Sequence, residues 1–362
     1  MGLIHGGDIQ GYIDELGREP LDFSANGNPL GTPAAVKDAV ARAMEQASRY
    51  PDPLCRRLTR AIADRLGVDL HYILCGAGSA DLLYRLGPAL QAKRALIPAP
   101  TFAEYEEGLA GSGCEIRYYQ LRKEDRFEVT EDILSALTPD IDVFYLCSPN
   151  NPTGLTVDPA LLRKILVRTA ECGIRFVMDE CFNPFLADPE NYSLLLFLAE
   201  HPNLLILRAF TKIYGMAGVR LGCCLTADTE LLARMRAAAQ PWAVSSLAEE
   251  AGIAALACER FVEETRALVE KERAWMIGQL EAMPVDLWHG SANYLFFYDK
   301  TAPEHEPGQG LVSFLRANGI LIRDCANYIG LGEGYCRIAV LDHDKNARLM
   351  ATMRGYFTHR VD

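Results

Sequence analysis

Seven short strand-like segments, most of them apolar, at 72–75, 94–97, 115–119, 143–147, 175–178, 204–207 and 222–226, alternate with longer stretches of mixed composition. This rhythm constrains the fold more than any other feature of the chain. Strand-length runs separated by helix-length segments predict βα units wound onto a mostly parallel sheet. Residues 159–171 show helical periodicity and lead to Gly173, which suits the position after a helix end. From 246 to about 280 the chain reads as one long Ala- and Glu-rich helix that could link two domains. Beyond Trp288 the pattern changes to strand-like 292–298, a helix near 312–318, then strands at 320–323 and 335–340. Strands, helix and strands again suggest a smaller α+β lobe. A chain of 362 residues has room for a large domain and a small one.

Chemistry-bearing residues collect where these runs end. Ser-Pro-Asn-Asn-Pro-Thr-Gly at 148–154 follows the apolar run 143–147 and sets side-chain amides at the carboxyl edge of a sheet, where open α/β folds bind ligands. Phe-Val-Met-Asp-Glu at 176–180 ends a strand in Asp179. That carboxylate can pair with a buried cation, or serve as an ordinary helix N-cap. Gly-Ala-Gly-Ser-Ala at 76–80 lies between a strand and the helical run 81–86, so backbone N–H groups there can hold a phosphate. Lys212 closely follows the apolar run 204–207 and is trailed by small residues. Arg220 lies eight residues on, with Gly215, Gly218 and Gly222 around it. A reactive amine and a fixed cation together suit a phosphorylated aldehyde.

The order Asn-Pro-Thr-Gly, then Asp179, then Lys212 with Arg220 resembles the fold-type I pyridoxal phosphate (PLP) enzymes of the aspartate aminotransferase superfamily. Within it, the chain resembles the branch holding histidinol-phosphate aminotransferase and the L-threonine-O-3-phosphate decarboxylase of cobalamin biosynthesis. The resemblance implies an α/β transferase fold, with a large PLP-binding domain at 46–275, a small domain at 276–362, and an N-terminal segment, 1–45, that joins the small domain. It implies a Schiff base from Lys212 to PLP and a salt bridge from Asp179 to the pyridine nitrogen. Asn151 would bond the ring hydroxyl, while Arg220 with Ala77, Gly78 and Ser79 would hold the phosphate. Phe102, in Pro-Thr-Phe-Ala-Glu-Tyr at 100–105, would stack on the ring, although a core phenylalanine is the ordinary alternative. Tyr50, in Arg-Tyr-Pro-Asp at 49–52, would reach the cofactor of a partner subunit, implying a homodimer with shared sites.

For the substrate, the resemblance implies Arg337 on the carboxylate, with Arg323, His5 and Gly6 on its phosphate, and Asn26 and Asn151 lining the same pocket. A surface strand arginine and a frayed terminal histidine are the bland readings of Arg337 and His5. Several blocks favour the decarboxylase over the aminotransferase. These are His-Gly-Gly-Asp at 5–8, the Asp-Phe-Ser-Ala-Asn-Gly-Asn-Pro-Leu-Gly stretch at 22–31, Pro241-Trp242, and residues 320–328. Phe182 stands where many relatives carry a tyrosine that polarises the cofactor, which disfavours a standard transaminase. Two other departures are Ala209, where a phosphate-binding serine is common, and Leu341, where decarboxylase relatives often have arginine. If Arg337 holds the carboxylate out of the ring plane, carbon dioxide leaves; if in plane, the Cα proton leaves to Lys212 and transamination follows.

Composition narrows the remaining classes. A net charge of −12 argues against nucleic-acid binding, and the chain carries no basic helix-turn-helix extension of the kind a PLP-sensing regulator needs. Residues 76–80 do not supply the Gly-x-Gly-x-x-Gly of a dinucleotide-binding protein. No apolar stretch reaches membrane-spanning length, the start lacks the charged and apolar regions of a signal peptide, and eleven cysteines form no Cys-x-x-Cys pair. These features predict a cytoplasmic protein with reduced thiols and no metal site. Cys181, beside Asp179, reads as a packing residue.

Overall fold

A computed structural model describes residues 5–306 and 309–358. Strand β1 (Leu21–Asp22) precedes a seven-stranded sheet of β2 (Ile73–Gly76), β3 (Arg94–Ala99), β4 (Glu115–Gln120), β5 (Val143–Cys147), β6 (Arg175–Asp179), β7 (Leu204–Ala209) and β8 (Gly222–Leu225). Their order across the sheet is β2-β8-β7-β6-β5-β3-β4, with β8 antiparallel to both neighbours and the other pairings parallel. Each apolar run of the sequence is one of these strands, with ends shifted by one or two residues.

Six of these strands are largely apolar because both faces are covered, whereas β4, at one edge of the sheet, is mostly exposed. Along β5, Phe144 and Leu146 enter one core while Val143, Tyr145 and Cys147 enter the other. Strand β7 divides likewise, with Leu204 and Ile206 on one side and Leu205 and Leu207 opposite. The helix Pro159–Glu171 starts at the Asp158 N-cap, whose side chain accepts from the N–H groups of Ala160 and Leu161. It buries Leu161, Leu162, Ile165 and Leu166 on the sheet. The helix near the N-terminus runs over Ile9–Leu16 and stops at Gly17 (φ 66°).

One expectation is corrected. The stretch 246–280 is two helices, Ser246–Leu256 and Glu259–Leu280, interrupted at Ala257 and Cys258. No glycine or proline marks the break. Small residues of the first helix (Ala248, Ala251, Gly252, Ala255) let it press on Ala34–Met44 and Arg56–Leu66, whereas Met276 and Leu280 of the second enter the core of the C-terminal lobe.

That lobe is a four-stranded antiparallel sheet, β12-β13-β10-β9, made of β9 (Val285–Trp288), β10 (Tyr294–Asp299), β12 (Arg323–Asp324) and β13 (Tyr335–Ala339). The predicted strand at 320–323 is split: β11 (Ile320–Leu321) pairs in parallel with β1, and the chain changes sheet at Ile322. Phe23 extends this attachment, donating from its N–H to Leu321 O (2.7 Å) and accepting at its carbonyl from Ala339 N (2.9 Å). The N-terminal segment is thereby laid along the C-terminal lobe and past the carboxyl ends of the parallel strands. No helix among the described residues is long and apolar enough to cross a membrane.

Candidate active site

A cavity of about 400 Å³ opens between the carboxyl edge of the large sheet and the C-terminal lobe. Its walls include His5, Gly6, Asn26, Gly78, Ser79, Phe102, Asn151, Asp179, Lys212, Arg220, Arg323 and Arg337. Twelve of the fourteen residues singled out above thus share one cavity. Ala77 and Tyr50 do not line it. The N–H of Ala77 donates to Asp81 Oδ2 (2.7 Å), which shapes the turn but takes that donor away from a ligand. Tyr50 is 80% exposed and stacks on Trp242, with ring centroids 4.5 Å apart.

Lys212 follows β7 and reaches the cavity floor. Among the described residues no group hydrogen-bonds or ion-pairs with its Nζ, and the Phe182 ring lies 5.8 Å away. Desolvation, and secondarily the nearby Arg337 cation, pull its pKa down from 10.5 to about 8. A neutral amine is therefore accessible near physiological pH, as attack on an aldehyde requires.

Asp179, the last residue of β6, is 5% exposed. The Tyr105 hydroxyl donates to its Oδ2 (2.7 Å) and the Cys181 N–H to its Oδ1 (2.8 Å), so the carboxylate is locked in direction. Cys181 itself is buried, and desolvation raises its thiol well above the ordinary value, leaving it a packing residue without nucleophilic character.

Asn151 presents a different polarity. Its Oδ1 accepts from Arg337 Nη1 and from the Tyr328 hydroxyl (3.3 Å), which leaves the amide N–H groups for a ligand acceptor. Arg220 adopts a left-handed backbone (φ 61°) and folds back so that Nη1 donates to Ala217 O (3.1 Å) and Nη2 to Ala77 O (3.4 Å). Gly78 must be glycine here: its φ is 97°, and a Cβ would lie 2.7 Å from Arg220 Nη2. Ser79 begins the helix Ser79–Leu90, whose N-terminus faces the same space.

Strands β12 and β13 bring Arg323 directly opposite Arg337 in register. Both are buried, at 8% and 5% exposure. Arg337 Nη2 donates to Ser24 O (2.7 Å), its Nε has no partner, and its guanidinium sits 5.3 Å over the Tyr294 ring. Arg323 Nη2 donates to Asn327 Oδ1 (2.8 Å), and its guanidinium sits 5.1 Å over the Tyr328 ring. Two like charges facing one another across strands are unfavourable unless an anion lies between them. Asn26, 3% exposed, also has an unpartnered Oδ1, and Asn293 Nδ2 holds its segment through Gly27 O (2.8 Å).

This donor set fits PLP: a locked buried carboxylate for a ring cation, an amide donor for a phenolate oxygen, a glycine turn with Arg220 for a phosphate, and a lysine of lowered pKa for an aldehyde. The departures fall into two kinds. Phe182 packs against Phe185 and Tyr294, and Ala209 lines the cavity, so both bear on the site. Leu341 packs on the C-terminal lobe and donates from its N–H to Asn346 (3.0 Å), away from the lining residues. The sequence assigns no role to Tyr105, Tyr328, Ser24 or Glu104, which the fold brings to the cavity; all four lie in quoted segments, but nothing local identifies their partners.

The sequence profile of the aminotransferase class I and II family matches residues 18–353. The chain is 39% identical to a threonine-phosphate decarboxylase of Salmonella typhimurium strain LT2, over 98% of this chain and 96% of that protein. It is 30% identical to histidinol-phosphate aminotransferase 1 of Cupriavidus pinatubonensis, over 94% and 89%. A solved histidinol-phosphate aminotransferase from Clostridium acetobutylicum superimposes with a TM-score of 0.86 at 27% identity, covering 94% of this chain and 99% of that one. The chain belongs to the aminotransferase class I and II family, whose members are PLP-dependent enzymes.

Proposed function

We propose that this protein is a PLP-dependent carboxy-lyase that converts L-threonine O-3-phosphate to (R)-1-amino-2-propanol O-2-phosphate and carbon dioxide, a step of cobalamin biosynthesis. The observation that carries this reading is the buried pair Arg323 and Arg337, held opposite each other over one cavity. Such a pair suits a small substrate with two anionic groups. The 39% identical relative bears the corresponding name, and Phe182 withholds the hydroxyl that transaminases use.

PLP, when bound, supplies an aldehyde for amines and a ring that takes up the electron pair left at Cα. The chain supplies the rest. Asp179 keeps a proton on the ring nitrogen. Arg337, with its free Nε, grips the substrate carboxylate, while Arg323 and His5 take the phosphate. The Cα–carboxyl bond breaks, its carbon leaves as carbon dioxide, and Lys212 delivers a proton to Cα. Asn26 and Gly6 close the wall beside the substrate.

We further place the protein in the cytoplasm, where its eleven free cysteines stay reduced. Its small domain starts near 276, since Met276 and Leu280 pack in that lobe. We infer a homodimer in which exposed Tyr50, on its Trp242 platform, enters the partner's site; co-expressing Lys212→Met and Tyr50→Ala subunits should then restore part of the activity that each alone lacks.

The direct test is to incubate PLP-loaded protein with L-threonine O-3-phosphate and no keto acid. Steady release of carbon dioxide with aminopropanol phosphate is the expected result. Amino transfer from histidinol phosphate to 2-oxoglutarate, without carbon dioxide release from the threonine ester, would replace this reading with the aminotransferase.

A further inference from the structure

Besides Asp179, Glu104 is the one carboxylate among the described residues lining a cavity otherwise furnished with Lys212, Arg220, Arg323 and Arg337. A carboxylate facing an anion site repels the anion unless its charge is committed elsewhere. Here Glu104 Oε1 lies 2.6 Å from His5 Nε2. The Glu104 side chain is 12% exposed, and His5, first of all, with Tyr84, holds its carboxyl below the usual range. His5 is half exposed, and the Glu104 contact is its single hydrogen bond among the described residues. Its other neighbour is the Phe102 ring, 5.9 Å away and tilted.

The two partners come from opposite sides of the cavity mouth. Glu104 opens the short helix Glu104–Glu107 after β3, whereas His5 lies in the segment that pairs with the C-terminal lobe through β1. Ser24 seats that segment. Its Oγ accepts from Gly7 N (2.7 Å), its carbonyl accepts from Arg337, and a Cβ on Gly6 would come within 2.4 Å of the same carbonyl. Glycine at position 6 is what lets the strap lie this close.

We propose that Glu104 is a positioning residue for the substrate's phosphate group: by accepting from Nε2–H it fixes the His5 ring at the cavity mouth, so that the doubly protonated ring turns its Nδ1–H to the phosphate oxygens, and it clasps the N-terminal segment to the turn after β3. This rests on the reading of His5 as a phosphate contact. The bond is charge-assisted and short, so its loss releases both the ring and the strap.

The test is a double-mutant cycle in the PLP-loaded enzyme with L-threonine O-3-phosphate. Glu104→Ala should raise KM about tenfold with kcat within about twofold. Glu104→Gln, which keeps an acceptor oxygen for Nε2–H, should stay within about threefold of the parent. His5→Ala should raise KM at least as far as Glu104→Ala, and adding Glu104→Ala to it should cause no further rise, because Glu104 acts through His5. An unchanged or lower KM in Glu104→Ala, or defects that multiply toward roughly a hundredfold in the double variant, would overturn the clasp. Absence of carbon dioxide release by the parent enzyme would sink the functional reading instead. The clasp is then read from protection of residues 5–8 against hydrogen exchange by inorganic phosphate, which Glu104→Ala should abolish; no protection in the parent, or equal protection in the variant, overturns it.

Discussion

Replacing Lys212 by methionine is expected to abolish turnover and, at neutral pH, to make the apoprotein harder to unfold. Activity should fall by four orders of magnitude or more, because one side chain supplies both the amine that meets the aldehyde and the proton for Cα. Stability moves the other way. The folded protein holds the amine at a pKa of about 8 against an ordinary 10.5, so between these values the unfolded chain binds more protons than the folded one. Stability of the parent therefore rises with pH through this window, and the penalty for burying the charged amine is fully present below about 8. The shift corresponds to at most about 3 kcal/mol, and water in the cavity screens part of it, leaving about 1–3 kcal/mol. Methionine keeps the stem's packing without the charge. Urea unfolding of both apoproteins should show Lys212→Met the more stable at pH 6.5, with the gap closing by pH 10.5. A variant less stable at pH 6.5, or a gain that persists at pH 10.5, would mean the amine is not desolvated as the cavity requires.

Lys212, Asp179 and Asn151 were legible in the sequence because each lies at or just beyond the end of an apolar strand, and a parallel sheet brings such ends to one edge whatever the loops do; Arg220 precedes β8, which runs antiparallel and so starts at that same edge. Residues whose work depends on a distant partner were not. Tyr105 reads as a core aromatic until the fold sets its hydroxyl on Asp179, which lies 74 positions away. Arg323 and Arg337 were found one by one through resemblance, but their direct opposition is a matter of strand register, which no spacing of 14 residues dictates. Ala77 illustrates the reverse failure. Its place in a glycine-rich turn suggested a phosphate donor, yet Asp81, one helical turn on, already takes its N–H. The broken helix at 257–258 was invisible for a related reason: alanine permits a helix to continue, and it is packing against two different bodies that ends it.

Asp179→Asn should reduce kcat on the order of 10³-fold while leaving the fold intact, because it removes a fixed negative charge from a buried, directed position. The effect cannot be confined to the charge alone. The present carboxylate accepts on both oxygens, from Tyr105 at 2.7 Å and from the Cys181 N–H at 2.8 Å. An amide has one acceptor oxygen. Whichever way it turns, either the Tyr105 hydroxyl or the Cys181 N–H faces an NH₂ group, and the side chain loses its fixed direction as well as its charge. Tyr105→Phe separates the two contributions: it frees one oxygen but keeps the charge, and a hydrogen bond to a charged group is worth about 1.5–3 kcal/mol, so a loss of about tenfold to a hundredfold is expected. Kcat measured at saturating PLP, with cofactor affinity measured alongside, distinguishes these outcomes. If Asp179→Asn falls no further than Tyr105→Phe, direction rather than charge is what the site draws from Asp179, and the ring nitrogen does not need an ionised partner in this protein.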